Sequence, residues 1–205
     1  MVKKSEATKA RLLRAATEEF AAYGVAGARV DRIAATAGAN KTLIYNYFGN
    51  KEELFDVVYE AAINEWLAAV PFDAQDLPGY AGTLFDFYRT HPHLIRLARW
   101  HALERPTAPP LPVATGARAD KVKALRKAQY DGKINAGLPP DALLTLVQSL
   151  AGTWSDGAPE GGAPAADPEG VSDQRHCVVV AVARLTRPVD GTTPGPLAPP
   201  VAGVR

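Results

Sequence analysis

The stretch that decides the fold is "AGANKTLIYNYFGNKEEL", residues 37–54. It joins a turn of small residues, a short helical segment carrying two tyrosines and an asparagine, and an acidic segment that starts a new helix. The short segment, 41–48, spans only about two turns, and such a helix is not stable in isolation. Neighbouring helices must therefore support one of its faces, which leaves the opposite face for another use.

A helical wheel divides residues 41–48 into two unlike faces. Ile44 and Phe48 point to one side and are predicted to pack against the first helix of the chain and the long fourth one. The opposite face is short, polar and aromatic, and it is formed by Thr42, Leu43, Tyr45 and Asn46. Side chains of this kind suit base edges and phosphates in the major groove of DNA.

Two helices are predicted before this segment. The first runs from Ser5, as N-cap, to Tyr23 and ends at Gly24; its apolar stripe is Leu13, Ala16, Phe20 and Tyr23. The second runs from Val30 to Ala37 and ends at Gly38; its inward side chains are Val30, Ile33, Ala34 and Ala37. With Asn40 as the N-cap of residues 41–48, the second and third helices form a helix-turn-helix.

A long fourth helix follows. Asn50 and Glu53 form an asparagine variant of a capping box at its start, and it ends near Pro71. Its apolar side is Leu54, Phe55, Val58, Ala61, Ala62 and Trp66.

Helical stripes also predict an all-α body beyond the link 71–79. They are Leu84, Phe87 and Tyr88; then Leu94, Leu97, Ala98 and His101; then a basic amphipathic helix over about 115–135; then Leu143, Val147, Leu150 and Trp154. The glycine-rich segment 157–170 is predicted to be a flexible loop, and the tail from Pro188 to fray. Residues 171–187, "VSDQRHCVVVAVARLTR", also fit a buried strand, but no partner strand is evident, so a helix buried nearly all round is predicted.

Composition points to a folded protein with a basic head. Of the 205 residues 47% are hydrophobic, and the net charge is +1. Residues 1–51 hold nine Lys and Arg against four Asp and Glu, whereas residues 52–205 hold fourteen against eighteen. This asymmetry hints at a polyanion bound by one end, although ordinary solvated surfaces show similar excesses. No signal peptide and no apolar run of the ~18 residues needed to span a membrane are apparent, so a cytoplasmic location is expected.

The single cysteine, Cys177, excludes an internal disulfide and a cysteine-based zinc site, and it is expected to be a small buried hydrophobe. His91, His93 and His101 lack an inward acid at ligand spacing, so no metal site and no cofactor are predicted. His101 lies on an apolar stripe, where a core histidine with a hydrogen-bond partner and a ligand contact are both open.

Residues 5–60 resemble the N-terminal domain of the TetR family of transcriptional repressors. The resemblance lies in "LLRAATEEFAAYG" (12–24), "VDRIAATAGANKTLIYNYF" (30–48) and "NKEEL" (50–54). It implies a DNA-binding domain over 1–50 and a helical ligand-binding and dimerisation domain over 51–187, and the proline and glycine content of 188–205 predicts a flexible tail. By position it makes Tyr45 and Lys51 contacts to phosphate, and it places on the recognition helix Asn40, Lys41, Thr42, Leu43 and Asn46.

Three departures from the family pattern concern the same interface. Ala28 stands where many members have a threonine that caps the second helix and touches DNA, and the adjacent Arg29 offers a replacement contact. Tyr47 replaces the common histidine, and Leu43 replaces a usual small polar residue. These two replacements predict an operator sequence that differs from those of better-known members, and Leu43 offers an apolar contact to a thymine methyl.

The body is expected to supply a twofold dimer and an effector pocket. A single helix-turn-helix domain binds DNA weakly. A dimer presents two recognition helices, about one turn of DNA apart, to a palindromic operator. The interface is predicted at 139–156 and 171–187 as a four-helix bundle, with burial inside a monomer as the alternative. Candidate contacts to a small hydrophobic effector, each of which also fits plain core packing, are Trp66, Phe85, Tyr88, Trp100, His101, Tyr130 and Trp154.

Two other classes of protein remain open from the residues. One is an all-helical enzyme or small-molecule carrier, although no nucleophilic constellation or phosphate-binding loop is apparent. The other is a helix-turn-helix used only for packing or protein contact, as in a dimeric adaptor. An enzyme is not expected, since nothing in the sequence assigns catalytic residues.

Overall fold

A computed structural model describes residues 2–155 and 167–188, with side chains from residue 5 onward. These ranges form nine α-helices and no strand, which confirms the all-α prediction and the helix over 171–187. None of these helices is both long and apolar enough to cross a membrane. The helices are α1 (Val2–Gly27), α2 (Val30–Thr36), α3 (Lys41–Phe48), α4 (Lys51–Ala69), α5 (Leu77–Thr90), α6 (Pro92–Glu104), α7 (Pro112–Tyr130), α8 (Pro140–Ala151) and α9 (Pro168–Thr186).

Local capping signals set the ends of α2, α3 and α4 as predicted. Gly38 takes a φ of 59° in the turn after α2, a conformation that glycine adopts without a side-chain clash. The Asn40 side chain accepts a hydrogen bond from the Thr42 backbone N–H at 2.9 Å. Asn50 and Glu53 complete the predicted capping box at the start of α4.

The first helix differs from the prediction at both ends. It begins at Val2 rather than at Ser5, and its helical hydrogen bonding continues to Gly27 across a kink at Gly24, where φ is 70°. Tyr23 was predicted to face inward, but it is 52% exposed and Arg32 lies over its ring. The buried stripe of α1 is centred on Leu12, Ala16 and Phe20, so Tyr23 falls at its edge.

Several helices of the body begin earlier than predicted because a proline occupies their first turn. Pro78 lies in the first turn of α5, α7 starts at Pro112 rather than near residue 115, and α9 starts at Pro168 rather than at residue 171. Proline is well suited to the first turn, where its missing N–H has no helical partner. α7 ends at Tyr130, short of the predicted 135, and α8 ends before Trp154.

The fourth helix connects the two ends of the molecule. Leu54 and Phe55 join a core with Phe20 of α1 and with Ile44 and Phe48 of α3, and further along α4 Val58, Ala62 and Ile63 are buried in the body. Ala61 of α4 and Ala98 of α6, both predicted to be inward, are exposed, but Ala98 lines the cavity described below.

The prediction that α9 is buried nearly all round is wrong for the single chain. α9 packs against α5 and α8, and its buried residues are Val178, Val182 and Thr186. Cys177, predicted to be buried, is exposed because it lies next to this inner stripe and not on it. Most of the predicted loop 157–170 and nearly all of the predicted tail lie outside the described residues.

Candidate DNA-reading face and effector cavity

The outer face of α3 is open while its inner face is sealed. Ile44 is fully buried and Phe48 is nearly so, as predicted. The predicted DNA contacts that are exposed are Arg29, Asn40, Lys41, Thr42, Tyr45 and Asn46. Leu43 and Tyr47 are half-buried, and the Tyr47 hydroxyl hydrogen-bonds Ser5 Oγ of α1 at 2.9 Å. The buried side chains of α3 therefore hold the helix in place while its polar and aromatic groups face outward.

Ion pairs position the charged residues around this face. Lys41 Nζ lies 2.9 Å from Asp31 Oδ1, and the hydrogen bond to Asp31 raises the pKa of Lys41. Both side chains are exposed, so a phosphate can compete with Asp31 for the ammonium group.

Glu19 organises the start of α2, where Ala28 replaces the threonine expected from the family. Its carboxylate accepts hydrogen bonds from the Arg29 backbone N–H and from Arg32 Nε, both at 2.8 Å. Burial acts to raise the pKa of Glu19, but these hydrogen bonds and the charge of Arg32 outweigh it and lower the pKa. Glu19 thus satisfies the backbone donor at Arg29 while the Arg29 side chain stays exposed.

Lys51 is tied to the end of α1. Its ammonium group donates to the carbonyl oxygens of Ala26 and Ala28, each at 3.4 Å. The sequence-based assignment of Lys51 to phosphate remains a prediction, and the structure adds a bond between the start of α4 and the end of α1.

A cavity of about 490 Å³ opens within the body. Its wall is drawn from α4, α6 and α8, with further residues from α5 and α7. Apolar and aromatic side chains dominate, and Arg99 supplies the cation on the wall, where no Asp or Glu of the described chain is found. Burial raises the pKa of Tyr59 and of Tyr88, so both wall tyrosines stay neutral near pH 7.

Two of the seven predicted effector contacts lie on this wall: Trp66 and Tyr88. The other five lie elsewhere. Phe85 is packed in the core, and Trp154 packs against it. The Trp100 indole N–H donates to the carbonyl oxygen of Ala21 in α1 at 3.2 Å. The His101 ring stacks on Tyr59, with ring centroids 4.7 Å apart. Tyr130 is 92% exposed.

Sequence reasoning missed Arg99, Gln148 and Lys121. Arg99 and Gln148 line the cavity, and Arg99 donates to Ser155 Oγ at 3.1 Å. Lys121 lies just behind the wall and is 7% exposed. A signal for Lys121 was present, because it stands four residues before Leu125 and seven before Ala128, on the buried stripe of α7.

The histidines do not assemble a metal site. In the part of the chain that the structure describes, no three His, Cys, Asp or Glu side chains are placed to hold an ion. His91 Nε2 lies 3.6 Å from Glu65 Oε1. Burial, and to a smaller degree the charge of Arg105, lower the pKa of His101.

The sixth helix contacts both the cavity and the DNA-binding end. Ile95, Ala98 and Arg99 line the cavity, whereas Arg96 Nε donates to Ala21 O at 2.7 Å. At its end, Arg105 pairs with Asp56 of α4 through two hydrogen bonds. A displacement of α6 at the cavity would therefore strain or shift its contacts with α1 and α4.

Comparison with known proteins agrees with both halves of this architecture. Residues 12–58 match the family described as "Bacterial regulatory proteins, tetR family", and residues 76–184 match "Tetracyclin repressor-like, C-terminal domain". The HTH-type transcriptional repressor SCO4008 of Streptomyces coelicolor is 44% identical over 158 residues, which cover 76% of this chain and 81% of the relative. The HTH-type transcriptional repressor NicS of Pseudomonas putida is 32% identical over 100 residues, 45% of this chain and 47% of the relative.

Solved structures give the same result. The structure of SCO4942 from Streptomyces coelicolor superposes with a TM-score of 0.78 at 38% identity, covering 89% of this chain and 99% of that one. Sequence and structure thus agree over both the helix-turn-helix and the helical body. The chain belongs to the TetR family of transcriptional regulators, which act by binding DNA rather than by catalysis.

Proposed function

We propose that this protein is a repressor that binds a palindromic operator as a homodimer and is released from it when a small molecule occupies the cavity. The residues in contact with DNA are those predicted from the sequence, led by Thr42, Tyr45 and Asn46 on α3. The protein works in the cytoplasm.

One observation carries the DNA-binding part of this proposal. The outer face of α3 is exposed although the helix itself is anchored through Ile44 and Phe48. A two-turn helix held in this way can enter a major groove without losing its support. A helix-turn-helix used only for packing would instead bury both faces.

The surface of α9 supports the homodimer. Cys177 and Ala183 of α9 are exposed, and Leu146 of α8 is 43% exposed. Apolar groups on these two neighbouring helices fit a twofold bundle with the same helices of a second chain. The two copies of α3 would then meet successive major-groove segments about 34–36 Å apart.

The position of the cavity supports control by a ligand. Its wall uses α4, which starts beside α3, and α6, which contacts α1. A ligand that prefers the conformer with misspaced recognition helices shifts the dimer away from the operator. A preference of ~1.4 kcal/mol lowers the DNA affinity tenfold.

Fluorescence anisotropy with the palindromes nearest the coding region tests this function. We expect a tight complex with the operator and a large preference for it over random DNA. The logarithm of the association constant should fall linearly with the logarithm of the salt concentration. Sedimentation of the complex should give two chains per operator. A protein that ignores every duplex at low salt, or binds all sequences equally, would refute the proposal and favour a carrier or adaptor role.

A further inference from the structure

A buried lysine without an anionic partner lies behind one end of the cavity. The Lys121 ammonium nitrogen lies 4.3 Å from the centre of the Trp66 ring, 5.4 Å from that of Tyr80 and 5.6 Å from that of Phe72. The structure shows no ion pair between Lys121 and any described residue, and its hydrogen bond goes to the Tyr80 hydroxyl at 3.3 Å. The charge is therefore held by ring faces and one neutral oxygen.

The groups around Lys121 supply more donors than acceptors. Gln148 Nε2 also donates to the Tyr80 hydroxyl, at 3.4 Å. The indole N–H of Trp66 is buried and has no hydrogen-bond partner in the described chain. A buried donor without an acceptor is costly, so this cluster is incomplete as it stands.

The cluster adjoins the cavity directly. Trp66 and Gln148 both line the wall, and Lys121 shares the Tyr80 hydroxyl with Gln148. The ammonium group of Lys121 lies over the ring of Trp66, a residue of the wall, and its stem of four flexible carbons lets it adjust to a group bound there.

The charge of the wall favours the same kind of occupant. Arg99 is cationic and no described Asp or Glu lies on the wall, so an anion meets no repulsion there. An anionic group that enters next to Lys121 supplies the missing acceptor and pairs a charge that is now buried without an anion. The apolar remainder of the wall requires an apolar body on the same molecule.

We propose that the effector is an apolar, preferably aromatic, molecule with one carboxylate, and that Lys121 and the Trp66 N–H bind this carboxylate. This inference rests on the proposed function of the cavity as the effector site. Lys121 acts here as a binding residue, and Tyr80 and Gln148 position it.

Matched pairs of acids and amides test the chemistry. Benzoate, indole-3-acetate, 2-naphthoate and anthracene-9-carboxylate are each compared with the corresponding primary amide by calorimetric titration of the full-length protein at pH 7. Each pair has the same shape and differs in charge. We expect the best-binding acid to bind about tenfold more tightly than its amide, as a charge-assisted bond in a dry site would give.

Substitutions then locate the charge. Lys121→Met keeps the stem and removes the ammonium group, and it should reduce the acid preference to less than about threefold while leaving amide affinity nearly unchanged. Trp66→Phe keeps a ring and removes the N–H, and it should weaken the acid selectively. Lys123→Met is the control, because Lys123 is exposed two residues further along α7, and it should leave the preference intact.

Two results would overturn the inference. One is that no acid of the panel binds more tightly than its amide. The other is that Lys121→Met keeps the full preference, which would mean that Lys121 is only packed among the rings. Operator binding by the ligand-free protein is measured separately, so a failure here with DNA binding intact refutes the ligand class and not the regulator.

Discussion

The carboxylate of Glu104, the last residue of α6, accepts a hydrogen bond of 2.6 Å from the backbone N–H of Val25 in α1. The same oxygen accepts a second bond of 2.9 Å from the N–H of Ala26. Both donors follow the kink at Gly24, where the helix is interrupted and its N–H groups lack the usual partners. The last residue of α6, a helix of the cavity wall, therefore caps the segment of α1 that follows the kink.

Replacing Glu104 with alanine should destabilise the protein by about 2–3 kcal/mol, since two backbone donors would be left without a charged acceptor. Urea unfolding at a fixed protein concentration measures the change, because the stability of the proposed dimer would depend on concentration. Glu60→Ala is the control, since Glu60 is exposed on α4, and it should change stability by less than ~0.5 kcal/mol. Equal stability of the two variants would contradict the capping role of Glu104.

Gly24 and Gly116 should respond to alanine in opposite directions. A Cβ at Gly24 would lie 2.5 Å from Glu104 Oε1 and 2.9 Å from Trp100 Cε3, and the φ of 70° disfavours alanine as well. Gly24→Ala should therefore cost more than ~1 kcal/mol. Gly116 lies within α7 with open space around it, so Gly116→Ala should gain up to ~1 kcal/mol. Melting temperatures of the two variants check the sign, and a stabilised Gly24→Ala protein would disprove the tight kink.

Thr42 and Asn46 are predicted to set sequence preference. Alanine at either position removes the groups that would bond a base edge, so it should lower the preference for operator over random DNA by ~1–3 kcal/mol. Both side chains are exposed, so the melting temperature should stay the same. Anisotropy titrations with operator and scrambled duplexes give the ratio of the two affinities. An unchanged ratio in both variants would contradict the assignment of α3 as the helix that recognises the operator sequence.

Lys51→Ala is expected to act differently. A phosphate contact carries no sequence information, so its removal should weaken operator and random DNA by similar factors and reduce the salt slope by ~1. Because Lys51 also bonds the carbonyls of Ala26 and Ala28, a modest drop in stability should accompany the change. Unaltered affinity for every duplex would show that Lys51 serves only the end of α1.

The stability contributed by Lys121 should depend on pH. Burial lowers the pKa of Lys121 to about 8, below the value of ~10.4 of a solvated lysine. Between these two values the unfolded chain binds more protons than the folded one, so unfolding free energy rises with pH there. Relative to Lys121→Met, the wild-type protein should therefore gain stability from about pH 8 to ~10.4 and show no such trend below pH 7. Melting curves of both proteins across this range provide the test, and a constant difference would indicate that Lys121 titrates normally.

The helix-turn-helix was predictable because its signals are local. Gly38, Asn40 and the pair Asn50 and Glu53 act on backbone groups within four residues of themselves, so their positions in the sequence determine where α3 and α4 begin. The burial of Ile44 and Phe48 follows from helical periodicity alone. Helical periodicity predicted burial wrongly at Tyr23, which lies at the edge of the apolar stripe of α1. The starts of α7 and α9 were predicted too late, because Pro112 and Pro168 belong to the first turns of these helices.

The cavity and its connections were decided by tertiary structure. Trp100 and Trp66 look alike in the sequence, yet one donates to α1 and the other lines the cavity, because each depends on which helix packs beside it. The bond between Glu104 and Val25 joins residues 79 positions apart, which no local pattern encodes. The sequence by itself thus determined the helices and the face that α3 presents. The packing of distant helices decided which polar groups, Lys121 above all, are enclosed without a partner of opposite charge.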